Sequence, residues 1–151
     1  MENSHDKAIS VLNDLIETCK NGEEGFRHAA ENVKSEHLRT LFGEFSQQRA
    51  QFAAQLQAEV QSLGGKPEHT SSIAGTLHQG WINVKAALTG RNEAAIVSEC
   101  ERGEDIAKAA YRRALEGSAL PPQIRDLVDR QYLQVKDTHD RVRNLEVRLE
   151  R

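Results

Sequence analysis

The chain has 151 residues, a length that suits one domain with a real core, with 28% charged residues, 5% aromatics and a net charge of −3. Charges of both signs are interleaved with no basic stripe of stacking aromatics, which argues against nucleic-acid binding, and no apolar run is long enough to span a bilayer. The opening residues lack the charged and apolar regions of a secretory leader, and two cysteines do not make a disulfide framework, so a soluble cytoplasmic protein is expected.

The first helix is expected over residues 4–33. Its apolar stripe, Ile9, Leu12, Ile16, Cys19, Phe26, Ala30 and Val33, advances by steps of three and four, and the member missing from it is Glu23. The second, over 36–63, carries Leu38, Phe42, Phe45, Phe52, Leu56, Val60 and Leu63, with Arg49 at the missing step. Gly64-Gly65-Lys66-Pro67 stops it with cap and breaker residues. A crossover follows, mostly an amphipathic helix over 72–88 with Leu77, Trp81, Val84 and Leu88 on one face; His78 and Trp81 are expected to form a lid on the bundle. Asn92 is a candidate N-cap for a helix over 92–115 striped by Val97, Cys100, Ala107, Tyr111 and Ala114, with Glu104 at the missing step. After the turn from Gly117 to Pro122, a last helix over 123–149 turns Ile124, Val128, Val135, His139, Val142 and Leu149 inward.

Part of this pattern repeats. Cys19-Lys-Asn-Gly22-Glu23 returns 81 residues later as Cys100-Glu-Arg-Gly103-Glu104, and at the same offset Leu15 meets Ile96, Ile16 meets Val97, Arg27 meets Lys108 and Ala29 meets Ala110. Short links imply two antiparallel hairpins. A crossover helix over 72–88 would rise about 26 Å, the length of a bundle, and return the chain to the end where the second helix began. The expected fold is therefore all-α, a single ferritin-like four-helix bundle over 1–151, made of two duplicated antiparallel hairpins with a helical crossover. With level glutamates, the two cysteines stand about 12 Å apart along the axis, too far for a disulfide. They read as small buried core residues.

A duplicated helix with a glutamate in its core stripe is the skeleton of a di-metal carboxylate bundle, which takes one Glu from each of two helices and a Glu-x-x-His from each of the other two. Residues i and i+3 share a helix face, so a carboxylate and an imidazole can reach one ion. Here the other two helices supply Arg49-x-x-Phe52 and Lys136-x-x-His139 instead, and the only literal Glu-x-x-His, Glu2 to His5, stands at the chain start. Two carboxylates thus face two cations. The expectation is a set of core ion pairs, Glu23 and Glu104 against Arg49 and Lys136, with no metal or other cofactor. Arg49, between Phe45 and Phe52, suits a bidentate pair. Lys136 lies off the strict stripe and can snorkel outward. The alternative is an atypical iron or manganese site using Glu23, Glu104 and His139, helped by Glu101. Plainer readings stand beside these: Glu23 as a boundary residue with its head in water, His139 as a hydrogen-bonded core histidine, Gly22 and Gly103 as packing residues. No phosphate loop, nucleophile elbow or Cys-x-x-Cys occurs, so nothing in the residues identifies an enzyme.

The segments Asn21-Gly-Glu-Glu-Gly-Phe-Arg-His-Ala-Ala30, Gln47-Gln-Arg-Ala-Gln-Phe52, Leu63-Gly-Gly-Lys-Pro67, Leu77-His-Gln-Gly-Trp81 and Glu99-Cys-Glu-Arg-Gly-Glu-Asp105 resemble an uncharacterised bacterial family of ferritin-like proteins of similar length, carried under a domain-of-unknown-function label. The resemblance covers nearly the whole chain and implies a ferritin-like bundle, with no established reaction, substrate or cofactor. The chain is also similar to rubrerythrin-type di-iron bundles, at Glu23, Glu104 and His139 alone; it departs from them at Arg49, Phe52 and Lys136, which speaks against di-iron peroxidase or oxidase activity. The expected function is a non-catalytic binding or stress-associated module with a degenerate di-iron site, forming homo-oligomers by helix packing, with no nucleic-acid or membrane partner. The alternative is an iron- or manganese-handling or redox protein.

Overall fold

The computed structural model describes residues 4–67 and 93–150. Almost all of these lie in four α-helices: α1 (Ser4–Asn32), α2 (Glu36–Ser62), α3 (Glu93–Glu116) and α4 (Pro122–Glu150). Among the described residues there is no strand, and no helix is long and apolar enough to cross a membrane. The crossover expected over 72–88, with His78 and Trp81, and the expected cap Asn92 lie outside the described residues.

The helices begin and end for local reasons. Ser35, in an extended conformation, caps α2 by accepting the Leu38 N–H on its hydroxyl. Beyond α2, Gly64 takes a φ of +85°, its N–H reaches the Gln61 carbonyl, and the Gly65 N–H reaches that of Val60. Those two bonds satisfy carbonyls that a helix end leaves unpaired, and only glycine adopts the left-handed angle without strain. Pro122 opens α4, where a missing N–H costs nothing. Glu93, in the first turn of α3, accepts the backbone N–H groups of Lys34 and Ser35 on one carboxylate oxygen, which ties that turn to the α1–α2 link.

Each helix buries one stripe. α1 packs along α2 and α3 along α4, with α1 also against α3 and α2 against α4. Asn13 of α1 donates to the Lys66 carbonyl just past α2, and Ser46 in the middle of α2 donates to the Glu23 carbonyl in α1. The apolar interior falls into two clusters. One holds Leu12, Ile16 and Cys19 of α1, Phe52 and Leu56 of α2, Ala107 and Tyr111 of α3, and Val128 and Val135 of α4. The other holds Phe26 and Val33, Leu38, Phe42 and Phe45, Ile96, Val97 and Cys100, and Val142. Every helix passes from one cluster to the other through buried polar residues: Asn21 on α1, Ser46 and Arg49 on α2, Glu104 on α3, Thr138 and His139 on α4.

Candidate functional site

The polar layer between the clusters is built around Arg49 and Glu104, the polar residues that interrupt the stripes of α2 and α3. Arg49 Nη1 donates to Glu104 Oε1 and Nη2 to Oε2, each at 2.6 Å, and both side chains are 1% exposed. The planar guanidinium matches a carboxylate fork, so each end satisfies the other. The Arg49 Nε donates to Gln48 Oε1 at 3.3 Å, and the guanidinium carbon stands 5.6 Å from the centre of the Phe26 ring. Burial on its own lowers the tendency of Arg49 to hold its proton, but the charge and hydrogen bonds of Glu104 outweigh it, and the net shift is upward. Unpairing such a buried charge costs about 3–5 kcal/mol.

The arginine fits because of Gly22. A Cβ there would stand 3.3 Å from Arg49 Cγ and Nη1 and 3.7 Å from Cδ. The side chain of Arg49 therefore crosses α1 at a residue without a side chain, the glycine of the repeated Cys-x-x-Gly-Glu segment.

Two other residues expected in the ion-pair set lie elsewhere. Glu23 is half-buried and its carboxylate stands 3.7 Å from Lys20 Nζ on its own helix. The reason is rotational: Gly22, not Glu23, faces Arg49, and Glu104 already occupies both ends of the guanidinium fork. Lys136 is exposed, with Nζ 5.4 Å from the centre of the Tyr132 ring. Val135 takes the inward position, so its neighbour points out. Nor do the residues of the alternative metal set come together. Both Glu104 oxygens are bound by Arg49, Glu23 faces Lys20, and His139 Nε2 meets Asp105 Oδ1 at 2.6 Å. With Phe52 offering no donor atom, these residues do not fit a di-iron or di-manganese centre. His139 is buried and stands beside Asp105 and Glu101, the three offering donor atoms within 4.8 Å of one another.

A second polar chain threads the cluster that contains Cys19. The Tyr111 hydroxyl donates to Gln131 Oε1 at 2.7 Å, and Gln131 Nε2 donates to Gln55 Oε1 at 2.9 Å. Cys19 Sγ lies 3.2 Å from the Tyr111 oxygen. With the tyrosine proton committed to Gln131, the thiol is the donor. Both cysteines are free and buried. Burial pushes the Cys19 thiol up to about 11, against a smaller downward pull from the Tyr111 hydrogen bond, and pushes Cys100 well above its usual range. Such thiols are poor nucleophiles. Burial also raises the Tyr111 phenol. Gln131, Tyr111 as a polar group, and Asp105 were missed by the sequence reading. Gln131 did leave a signal: it fills the gap between Val128 and Val135 as Arg49 and Glu104 fill theirs.

The chain belongs to the family described as a domain of unknown function (DUF2383), whose model matches residues 7–117 and so takes in Gly22, Arg49 and Glu104. No curated protein matches the chain.

Proposed function

We propose that this family member is a ferritin-like four-helix bundle, made of two duplicated antiparallel hairpins, in which a buried ion pair stands where related bundles hold a pair of metal ions. On this reading it is a non-catalytic binding or structural module. The observation that carries it is the bidentate hold of Arg49 on both oxygens of Glu104. A carboxylate so engaged has one lone pair on each oxygen already taken, and the fixed guanidinium beside it repels a cation.

The order in which the helices meet the two apolar clusters supports the architecture. α1 and α4 run from the cluster with Cys19 to the cluster with Cys100, whereas α2 and α3 run the opposite way. α3 is then parallel to α2, as a long crossover between hairpins requires. The repeated Cys-x-x-Gly-Glu segments fall on α1 and α3, at the same step from apolar cluster to polar layer, as a duplicated hairpin predicts.

The test is a crystal of the full chain soaked in Mn²⁺ or, without oxygen, in Fe²⁺, with anomalous scattering recorded at the bundle centre. No anomalous peak is expected within coordination distance of Glu104. A peak between Glu23 and Glu104, with Arg49 swung away, would overturn the ion-pair reading.

A further inference from the structure

Outside the buried pair, three side chains able to ligate a metal converge, among the described residues, on the face shared by α3 and α4. Glu101 and Asp105 are four residues apart on α3 and therefore lie on one side of it. His139 reaches them from α4, and one donor atom from each residue lies within 4.8 Å of the other two. We propose that Glu101, Asp105 and His139 bind one divalent first-row transition-metal ion, with water completing its coordination. This goes beyond the bundle-centre reading and is independent of it, because Glu104 is held by Arg49 in the core.

The arrangement has the parts such a site needs. One imidazole with two carboxylates is a donor set that suits zinc, cobalt, manganese or iron. The imidazole is held firmly, since His139 is buried in the polar layer, whereas the Asp105 side chain is 59% exposed and gives an ion access. The orientation of the ring is a separate observation. His139 Nδ1 stands 3.3 Å from Asp140 Oδ1 while Nε2 points at Asp105. An Nδ1–H donated to an outer carboxylate turns the Nε2 lone pair toward the ion, the common support of a metal-bound histidine.

The Asp105–His139 approach requires little movement, and the Glu101 oxygen, within 4.8 Å of the other two donors, swings in to complete the set. Ligand bonds of about 2.0–2.2 Å place neighbouring donor atoms about 3.0–3.4 Å apart. Asp105 Oδ1, now 2.6 Å from Nε2, must withdraw by less than an ångström, which an exposed side chain allows. The ion takes the place of the hydrogen between them. Because two ligands come from α3 and one from α4, it would also fasten the helices together, so binding must raise thermal stability.

The experiment uses the full chain without an affinity tag, titrated with Zn²⁺ by calorimetry and with Co²⁺ by visible absorption, with melting curves recorded alongside. One ion per chain, a Co²⁺ ligand-field spectrum and a raised Tm are expected. Asp105→Asn and His139→Gln should each weaken binding by about tenfold or more, and Asp140→Asn by about tenfold through the outer carboxylate. Glu31→Gln, at an exposed carboxylate paired with Arg27 on α1, should leave binding unchanged. Asp105→Asn is the decisive variant because its exposed position lets the chain fold. Absence of saturable binding, or equal binding by the wild type and Asp105→Asn, would overturn this site and leave the ion-pair reading standing. Binding kept in Asp105→Asn but lost in Glu104→Gln would overturn both.

Discussion

Gly22 of α1 leaves the gap through which the Arg49 side chain passes: a Cβ on Gly22 would lie 3.3 Å from both Cγ and Nη1. Inside a helix, Gly→Ala ordinarily gains about 1 kcal/mol. Here the arginine is pinned at its far end by Glu104 and cannot retreat, so Gly22→Ala should cost about 1 kcal/mol net through overpacking. In an Arg49→Met background the flexible side chain can give way, and the same substitution should become stabilising. Urea unfolding of the four proteins in the cycle measures the sign change.

The ion pair itself should be strongly non-additive. Arg49→Met leaves a carboxylate buried and unpaired, with an expected loss of about 3–5 kcal/mol. Adding Glu104→Leu removes the stranded charge and should recover most of that loss. If the double variant were no more stable than Arg49→Met, the two side chains would not be acting as a buried pair.

The thiols should be unreactive in the folded protein. At pH 8 their labelling by an aromatic disulfide reagent should follow global unfolding and rise steeply in urea. The alkaline limb of stability follows from the same burial. An unfolded cysteine loses its proton near pH 8.5, whereas Cys19 holds its own to about 11. Between those values the native state binds more protons, so stability falls as pH rises. Cys19→Ala should make that fall shallower, as read from urea midpoints between pH 7 and 10.5.

The residues of the core announced themselves unevenly. Periodicity and breaker chemistry placed the described helix ends within a residue of where they lie, because Gly64, Gly117 and Pro122 act locally, while the Ser35 cap emerged only with the structure. Arg49 and Glu104 were visible as gaps in apolar stripes, but charge set two carboxylates against two cations without assigning Glu104 to Arg49, a pairing that the structure supplies. Glu23 sits in the same kind of gap, yet its side chain is 32% exposed. A stripe gives a helix face only to within a residue, and here Gly22 takes the inward angle. Lys136 fails in the same way beside Val135. Asp105 left no mark, because it is exposed on its own helix and its role depends on how far α4 has rotated to deliver His139. The Glu93 anchor was hidden for a similar reason: its partners are backbone groups 58 and 59 residues away.

The end of α2 offers a test of close approach. A Cβ on Gly65 would lie 2.8–3.0 Å from three Ile9 side-chain atoms. Gly65→Ala should therefore cost about 1–3 kcal/mol, and Ile9→Ala in the same chain should cost less than it does in the wild type. Gly64→Ala should cost about 1 kcal/mol for a different reason, the positive φ, with no relief from Ile9→Ala. Thermal melts of these variants separate the two causes.

Tyr111 and Gln131 should also behave as a unit. Gln131→Leu deprives the buried phenol of its acceptor and should cost about 1–3 kcal/mol. Tyr111→Phe strands Gln131 Oε1 and the Cys19 thiol in turn. The pair of substitutions made together should cost less than the two single costs added, a shortfall that a double-mutant cycle reads directly.

The polar layer between the apolar clusters also acts as an index mark. Apolar stripes tolerate sliding, since one leucine resembles the next along a seam. Arg49 does not. If α2 slipped one turn, about 5.4 Å along α3, its guanidinium would leave Glu104 for the level of Cys100 or Ala107, both buried and apolar. Every misaligned stacking of these helices strands two charges, and only one setting pairs them, so a bundle of otherwise interchangeable residues has a single axial alignment.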